Sequence, residues 1–253
     1  MTKNDLPILE FDPDKTAVLM PEHDNIPVKL PDKAIFAFLG DEIEKFAISK
    51  DAEVVAYFES ATKAYPVYVF EEKGQYICLA QAPVGAPAAV QFMEWLISYG
   101  ARKIISAGSC GVLEKYDENV FLVPYKALRE EGTSYHYLPP SRFVDVSDRA
   151  RQAIEETLQA HKLPYREVIT WTTDGFFRET KAKVAGRKEE GCSVVEMECS
   201  ALAACAQMRE IEWGQILYTA DSLHDIENYD ERNWGEDSKA YALELCLETL
   251  VRI

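Results

Sequence analysis

The chain has 253 residues, 47% of them hydrophobic, which is enough to bury a sizeable core and points to one domain. It carries 43 Asp and Glu against 27 Lys and Arg, a formal charge of −16, so a nucleic-acid partner is not expected. No apolar run approaches the roughly 18 residues of a membrane span, and the start, Met1 to Asp5, lacks the apolar core of a signal peptide. A cytoplasmic protein without a membrane partner is expected.

Residues 1–33 are punctuated by Pro7, Pro13, Pro21, Pro27 and Pro31 and read as an irregular arm before a catalytic domain at 34–253. Ala34 to Leu39 is a continuous apolar run, as a strand buried on both faces should be. Gly40-Asp41 ends it and opens a short helical pattern. Glu53–Glu59, Pro66–Glu71 and Gln75–Gln81 read as strands, with Lys73-Gly74 turning between the last two. Val90, Met93, Leu96 and Ile97 recur at helical spacing within 86–99, and Gly100 is a plausible stop. Lys103 to Ala107 is a strand, followed by Gly108-Ser109-Cys110-Gly111. Further strands are expected at 119–123, 166–171, 193–197 and 214–219, and helices at 147–161, 180–190, 199–209 and 237–251. This alternation predicts a single-domain, three-layer α/β/α fold with a mixed central sheet.

Six cysteines occur without a C-x-x-C pair, mostly in apolar runs, and four histidines lie scattered. Buried free thiols in a reducing cytosol are expected, and no metal site.

Four constellations offer chemistry. Gly108 to Gly111 at a strand end suits a turn whose backbone N–H groups approach an anion, although glycines also serve tight turns for backbone reasons alone. In Val194-Val195-Glu196-Met197-Glu198-Cys199-Ser200, two acids interrupt an apolar junction. A carboxylate there can accept from the vicinal hydroxyls of a ribose, or can serve the dipole of a starting helix. The apolar strand Ile216 to Ala220 ends at Asp221, placed as a general acid or as an ordinary turn residue. Phe176, Phe177 and Arg178 follow another strand. They could stack on a flat base and reach its edge, or they could be core rings and a surface ion pair.

In this order, these segments resemble the nucleoside phosphorylase superfamily of purine nucleoside and uridine phosphorylases, from about Ala34 to the C-terminus. The resemblance implies that the segment Glu196-Met197-Glu198 binds the ribose, with Glu198 as the hydroxyl-binding carboxylate and Met197 packing. It implies that Phe176 and Arg178 flank the base and that Asp221 donates a proton to it. It places phosphate near Gly40 and Ser109, with Arg129 as a replacement cation. The segment Arg129 to Pro140 is similar to a Glu-Gly-Thr-Ser stretch of some phosphorylases and AMP nucleosidases, so Glu131, Thr133 and Ser134 either line the site or form a hydrogen-bonded turn.

The chain also departs from the family pattern. Glu44 stands where the family carries one phosphate arginine, Ser106 where it carries another, and Thr180-Lys181-Ala182 where uridine phosphorylases carry Gln-x-Arg. The expected reaction is phosphorolysis of a ribonucleoside, a purine before uridine, with inorganic phosphate as co-substrate and no cofactor. Hydrolysis by water is the alternative, and a non-catalytic nucleoside binder the third reading.

The resemblance also implies a homo-oligomer with closed symmetry. Sedimentation at micromolar concentration should therefore show an assembly. A single species of 28.6 kDa would contradict that expectation.

Overall fold

A computed structural model describes residues 3–253; Met1 and Thr2, part of the expected arm and of the leader reading, lie outside the described residues. The core is one mixed sheet of ten strands with helices on both faces. Strand β1 (Lys33–Ala37) is buried along its whole length and lies parallel between β4 (Gln75–Gln81) and β5 (Lys103–Val112). Such two-sided burial demands the unbroken apolar run seen in its sequence. The antiparallel strands β2 (Glu53–Glu59) and β3 (Ala64–Glu72) extend that wing beyond β4. Lys73 and Gly74, both at positive φ, make the tight turn between β3 and β4.

On the other side of β5 the sheet curls. β5 pairs with β10 (Glu212–Ser222), β10 with β6 (Phe121–Glu130), β6 with β8 (Tyr165–Thr173), β8 with β9 (Cys192–Glu196), and β9 with β5 again. These five strands form a closed ring, which removes edges that an open sheet would leave unpaired. A short strand, β7 (Phe143–Asp145), pairs with β6.

Helices α2 (Ala86–Ser98) and α5 (Cys199–Arg209) cover one face around Phe92, Trp95 and Trp213. Helices α1 (Glu42–Ser49), α3 (Asp148–Ala160) and α6 (Lys239–Arg252) cover the other around Ile154, Tyr218 and Leu250. A further helix, α4 (Lys181–Glu189), packs Val184 against Trp171 and Val195. All six cysteines are free and buried. No helix of the described residues is long and apolar enough to cross a membrane.

Residues 3–32 contain only two short turns of 3-10 helix and run along the body. The Lys15 ammonium pairs with Glu210, the Arg209 guanidinium donates to the Lys15 carbonyl, and the Leu30 N–H donates to the Tyr99 carbonyl.

One expectation needs correction. Gly108 to Gly111 is not a turn after β5 but its continuation, with Ser109 opposite Tyr218 on β10 and Gly111 opposite Val195 on β9. Neither of its glycines has a positive φ. Gly111 is a glycine because neighbours press on it, whereas a Cβ on Gly108 would meet Phe38 only at ordinary contact distance, 3.4 Å. A Cβ on Gly111 would stand 2.8 Å from Leu223, 3.1 Å from Val195 and 3.3 Å from Asp221 Oδ1.

Gly100 does end α2, at φ +138, and a methyl there would collide with the Leu30 carbonyl. Gly100→Ala should therefore destabilise the fold by roughly 1–3 kcal/mol, through strain and overpacking together. A denaturant midpoint equal to wild type would contradict this packing.

Candidate active site

A cavity opens where the C-terminal ends of β5, β9 and β10 meet the start of α5. Its carboxyls are Glu179, Glu196, Glu198 and Asp221, its aromatic rim is Phe176 and Trp234, and Gly108 to Gly111 form a wall.

The junction of β9 and α5 sets the geometry. The first N–H groups of a helix have no partner within the helix. Here the Glu198 and Cys199 N–H groups donate to Glu196 Oε2 at 2.7 and 2.6 Å. The Ser200 N–H donates to the Thr172 hydroxyl oxygen at 3.0 Å. Glu196 Oε1 accepts from the Thr172 and Thr170 hydroxyls at 2.6 and 3.2 Å. Glu196 thus serves the helix start, and both its oxygens are committed to the protein. It lines the cavity but, contrary to the sequence expectation, has no oxygen to spare for ribose. Burial raises its pKa, and these four donors oppose that shift.

With the helix start satisfied, the Glu198 side chain turns to the cavity. One oxygen accepts from the Gly85 N–H at 2.5 Å. Gly85 sits at φ +100, a conformation that disfavours any side chain, so its glycine is required for that contact. Burial, reinforced by the neighbouring Glu196 charge, lifts Glu198 to about 8. Met197 lines the cavity beside it.

Asp221 is the penultimate residue of β10, buried like Ser222 after it. Burial raises its pKa, and the Tyr229 hydroxyl, which donates to Oδ2 at 3.1 Å, lowers it. Glu179, which lines the same cavity, is lifted to about 7 by burial and then by the Asp221 charge. Phe176 is 42% exposed and presents its ring to the cavity, while Phe177 is 92% exposed and lies outside it. At the inner end lies Gln215, 2% exposed, whose buried Oε1 has no partner in the protein. An unpaired buried amide oxygen is costly, so a ligand donor would relieve it.

The phosphorylase superfamily model matches residues 32–252. The chain belongs to the phosphorylase superfamily. An uncharacterised protein of Acanthamoeba polyphaga mimivirus is 29% identical over 60% of this chain and 58% of its own length. The purine nucleoside phosphorylase of Plasmodium vivax is 28% identical over 72% of this chain and 76% of its own. Among solved structures, the uridine phosphorylase of Vibrio fischeri superposes with a TM-score of 0.77 at 22% identity, covering 89% of this chain and 95% of that one. An AMP nucleosidase of Bacteroides thetaiotaomicron superposes at 0.72 with 20% identity, covering 88% and 89%. These likenesses establish the fold: members of this superfamily act on nucleosides as phosphorylases or as hydrolases.

Against that family, the cation positions are informative. Glu44 is exposed on α1. The Ser106 hydroxyl is fully buried and accepts from Trp213 Nε1 at 3.0 Å. Arg129 does not reach the cavity, contrary to the sequence expectation. Its guanidinium donates to the Ser134 and Ser141 hydroxyls and to the carbonyls of Leu138 and Pro139, over the Tyr135 ring. Glu131 accepts from the Ser134 N–H and the Ser200 hydroxyl. The Glu-Gly-Thr-Ser stretch is therefore a hydrogen-bonded turn bracing α5. Arg178 is exposed outside the cavity, and Gly40 makes a turn at φ +57 beyond β1 without lining it. Ser109 does line it. Among the described residues that line the cavity there is no Lys, Arg or His.

Sequence reasoning missed Gly85, Glu179, Gln215 and Trp234. The first three carry no local motif. Trp234 lies in a polar loop, where a lone large aromatic was the one signal the sequence offered.

Glu198→Gln should cut kcat/KM on a ribonucleoside by about tenfold or more, because an amide offers one acceptor oxygen where a carboxylate offers two. The same substitution should change the pH dependence of stability. A carboxyl whose folded pKa is raised stabilises the fold below its unfolded pKa of about 4.5 and loses that contribution as pH rises through about 8. Ligand-free wild type should thus weaken between those limits in denaturant titrations, and Glu198→Gln should weaken less. Equal slopes and an unaltered kcat/KM would remove Glu198 from the ribose site.

Proposed function

We propose that this chain cleaves the N-glycosidic bond of a purine ribonucleoside, with water as the attacking group. The observation that carries the cleavage is the placement of Glu198 and Asp221 in one cavity beside the Phe176 ring. Glu198 accepts from the ribose 2′- and 3′-hydroxyls and fixes C1′. Asp221, its pKa raised by burial, delivers a proton to N7 of the departing base, so no anion builds there. Uracil has no N7, and the Gln-x-Arg pair that would hold its carbonyls is absent from this sequence. Glu179 offers a carboxyl to the edge of the base, and Phe176 a face for stacking.

The wall chemistry supports water over phosphate. Two unit charges 4 Å apart interact by about 4 kcal/mol at an effective dielectric of about 20. Among the described lining residues no cation offsets the charge of an entering dianion, whereas an oxocarbenium-like sugar is favoured by carboxyls that burial holds toward their neutral forms. Ser106 is spent on Trp213, and Gln215 is a neutral amide. A second reading, phosphorolysis to ribose 1-phosphate with inorganic phosphate as co-substrate, is supported by Ser109 in the cavity wall and by the Plasmodium relative. The free, buried thiols suit a reducing cytosol.

Inosine, guanosine and uridine, each assayed with and without phosphate, test the reading. Purine nucleosides should release base and free ribose at the same rate in both conditions. Asp221→Asn should lower that rate by roughly a hundredfold or more. A strict need for phosphate would select phosphorolysis. Brisk uridine cleavage indifferent to Asp221→Asn, with none on inosine, would overturn the purine assignment.

A further inference from the structure

We propose that Tyr229 is a positioning residue for Asp221, whose phenol occupies Oδ2 and so places the transferable proton on Oδ1. This inference rests on Asp221 being the general acid. Three observations carry it. The first is the contact itself, with the Tyr229 hydroxyl donating to Oδ2 at 3.1 Å. An oxygen that accepts from a phenol along that direction is the poorer place for the carboxyl's own proton. The other oxygen, Oδ1, lies against Gly111, 3.3 Å from where a Cβ would stand, and Gly111 and Asp221 line the cavity together.

The second is how the loop after β10 is pinned. Ser222 and Asp230 form an isolated antiparallel bridge, with the Ser222 N–H donating to the Asp230 carbonyl at 2.8 Å and the return bond at 3.2 Å. The bridge folds the chain back so that Tyr229 stands one residue from the bridge, beside Asp221. The Arg232 guanidinium then ties the returning strand to the Ala220 and Tyr116 carbonyls at 3.2 and 2.7 Å. Arg232 also pairs with the Asp230 carboxylate at 3.8 Å and acts on Asp221 through its charge, while the side-chain hydrogen bond to Asp221 comes from Tyr229.

The third is the state of the phenol. Burial and the Asp221 charge both raise the Tyr229 pKa, so it stays protonated and remains a donor. It opposes the burial that pushes Asp221 upward. The other groups facing Asp221 are Arg232 on the same loop, Glu179 from the turn after β8, and Cys110 on β5, which also feels Glu196 on β9. Removing the phenol leaves the carboxylate with one fewer donor, so the Asp221 pKa rises and the acid becomes weaker. The limb of the pH profile that falls as Asp221 deprotonates then moves to higher pH.

Tyr229→Phe in the full chain tests this, since the phenyl ring keeps the shape and loses only the hydroxyl. The substrates are inosine and 7-methylinosine; the second carries its N7 already alkylated, so its base departs without a proton. On inosine, kcat should fall roughly tenfold with KM nearly unchanged, and the descending limb should move up by about one pH unit. On 7-methylinosine, Tyr229→Phe should match wild type. Equal losses on both substrates would make Tyr229 a merely structural residue and overturn the proposal, as would an unshifted limb with kcat intact. Asp221→Asn run alongside separates the two ideas. A wild-type rate in Asp221→Asn, or no inosine cleavage by wild type, removes the acid itself and this inference with it. Loss in Asp221→Asn with an unaltered Tyr229→Phe removes only the role of Tyr229.

Discussion

A carboxylate buried without a cation must be held by hydrogen bonds or give up its charge, and Glu196 is held by four of them. Two donors are the N–H groups that open α5, and two are threonine hydroxyls on β8. A hydrogen bond to a charged group contributes about 1.5–3 kcal/mol, so the set is of the size needed to offset a desolvation cost of several kcal/mol. The same bonds tie β8, β9 and α5 into one unit. Thr172 is shared between them, accepting from Ser200 while donating to Glu196. Ser200 in turn reaches Glu131, and Arg129 holds the turn that Glu131 caps. The conspicuous Glu-Gly-Thr-Ser segment is therefore a brace, and the arginine within it has no donor directed to the cavity.

This arrangement leaves Glu198 free for a ligand, at a cost to the empty protein. Glu198 near 8 and Glu179 near 7 are both carboxyls that the fold would rather keep neutral. A ribose diol returns hydrogen bonds to Glu198, and a cationic sugar at the transition state returns charge to the whole wall. Burial thus holds the wall toward neutrality in the resting protein, and the positive charge that develops during cleavage favours its ionised form. Gly85 and Gly111 belong to the same design: one presents an N–H at a φ that side chains rarely adopt, and the other leaves room for the acid.

How much was legible followed from how local the signal was. Strand β1 and helix α2 showed themselves through an unbroken apolar run and a 3.6-residue period, and Gly100 marked the end of α2 because a positive φ has few other tenants. The Gly108 to Gly111 segment was misread for the converse reason. Two glycines and a serine look like a turn, but they lie between β9 and β10, and only the presence of those strands turns small residues into close-packing ones. The closed ring of five strands was equally hidden, since pairing between β9 and β5 joins segments some eighty residues apart.

The site divides along the same line. That Glu198, Phe176 and Asp221 share a site was implied by the family resemblance, and the three do line one cavity, each near the end of a predicted element. The resemblance gave Glu198 the ribose, but that Glu196 has no oxygen to spare for it was not legible, since only the threonines of β8 and the N–H groups at the start of α5 show which acid is consumed. Glu179, Gln215 and Tyr229 were likewise silent, being single residues from separate elements that share no spacing. Local periodicity and residue chemistry determined the elements, the acidic character and the candidate acid. Which oxygens are spoken for, which arginines are spent and what stands beside Asp221 were decided only by the tertiary structure, because hydrogen bonds between distant segments do not leave a period in the chain.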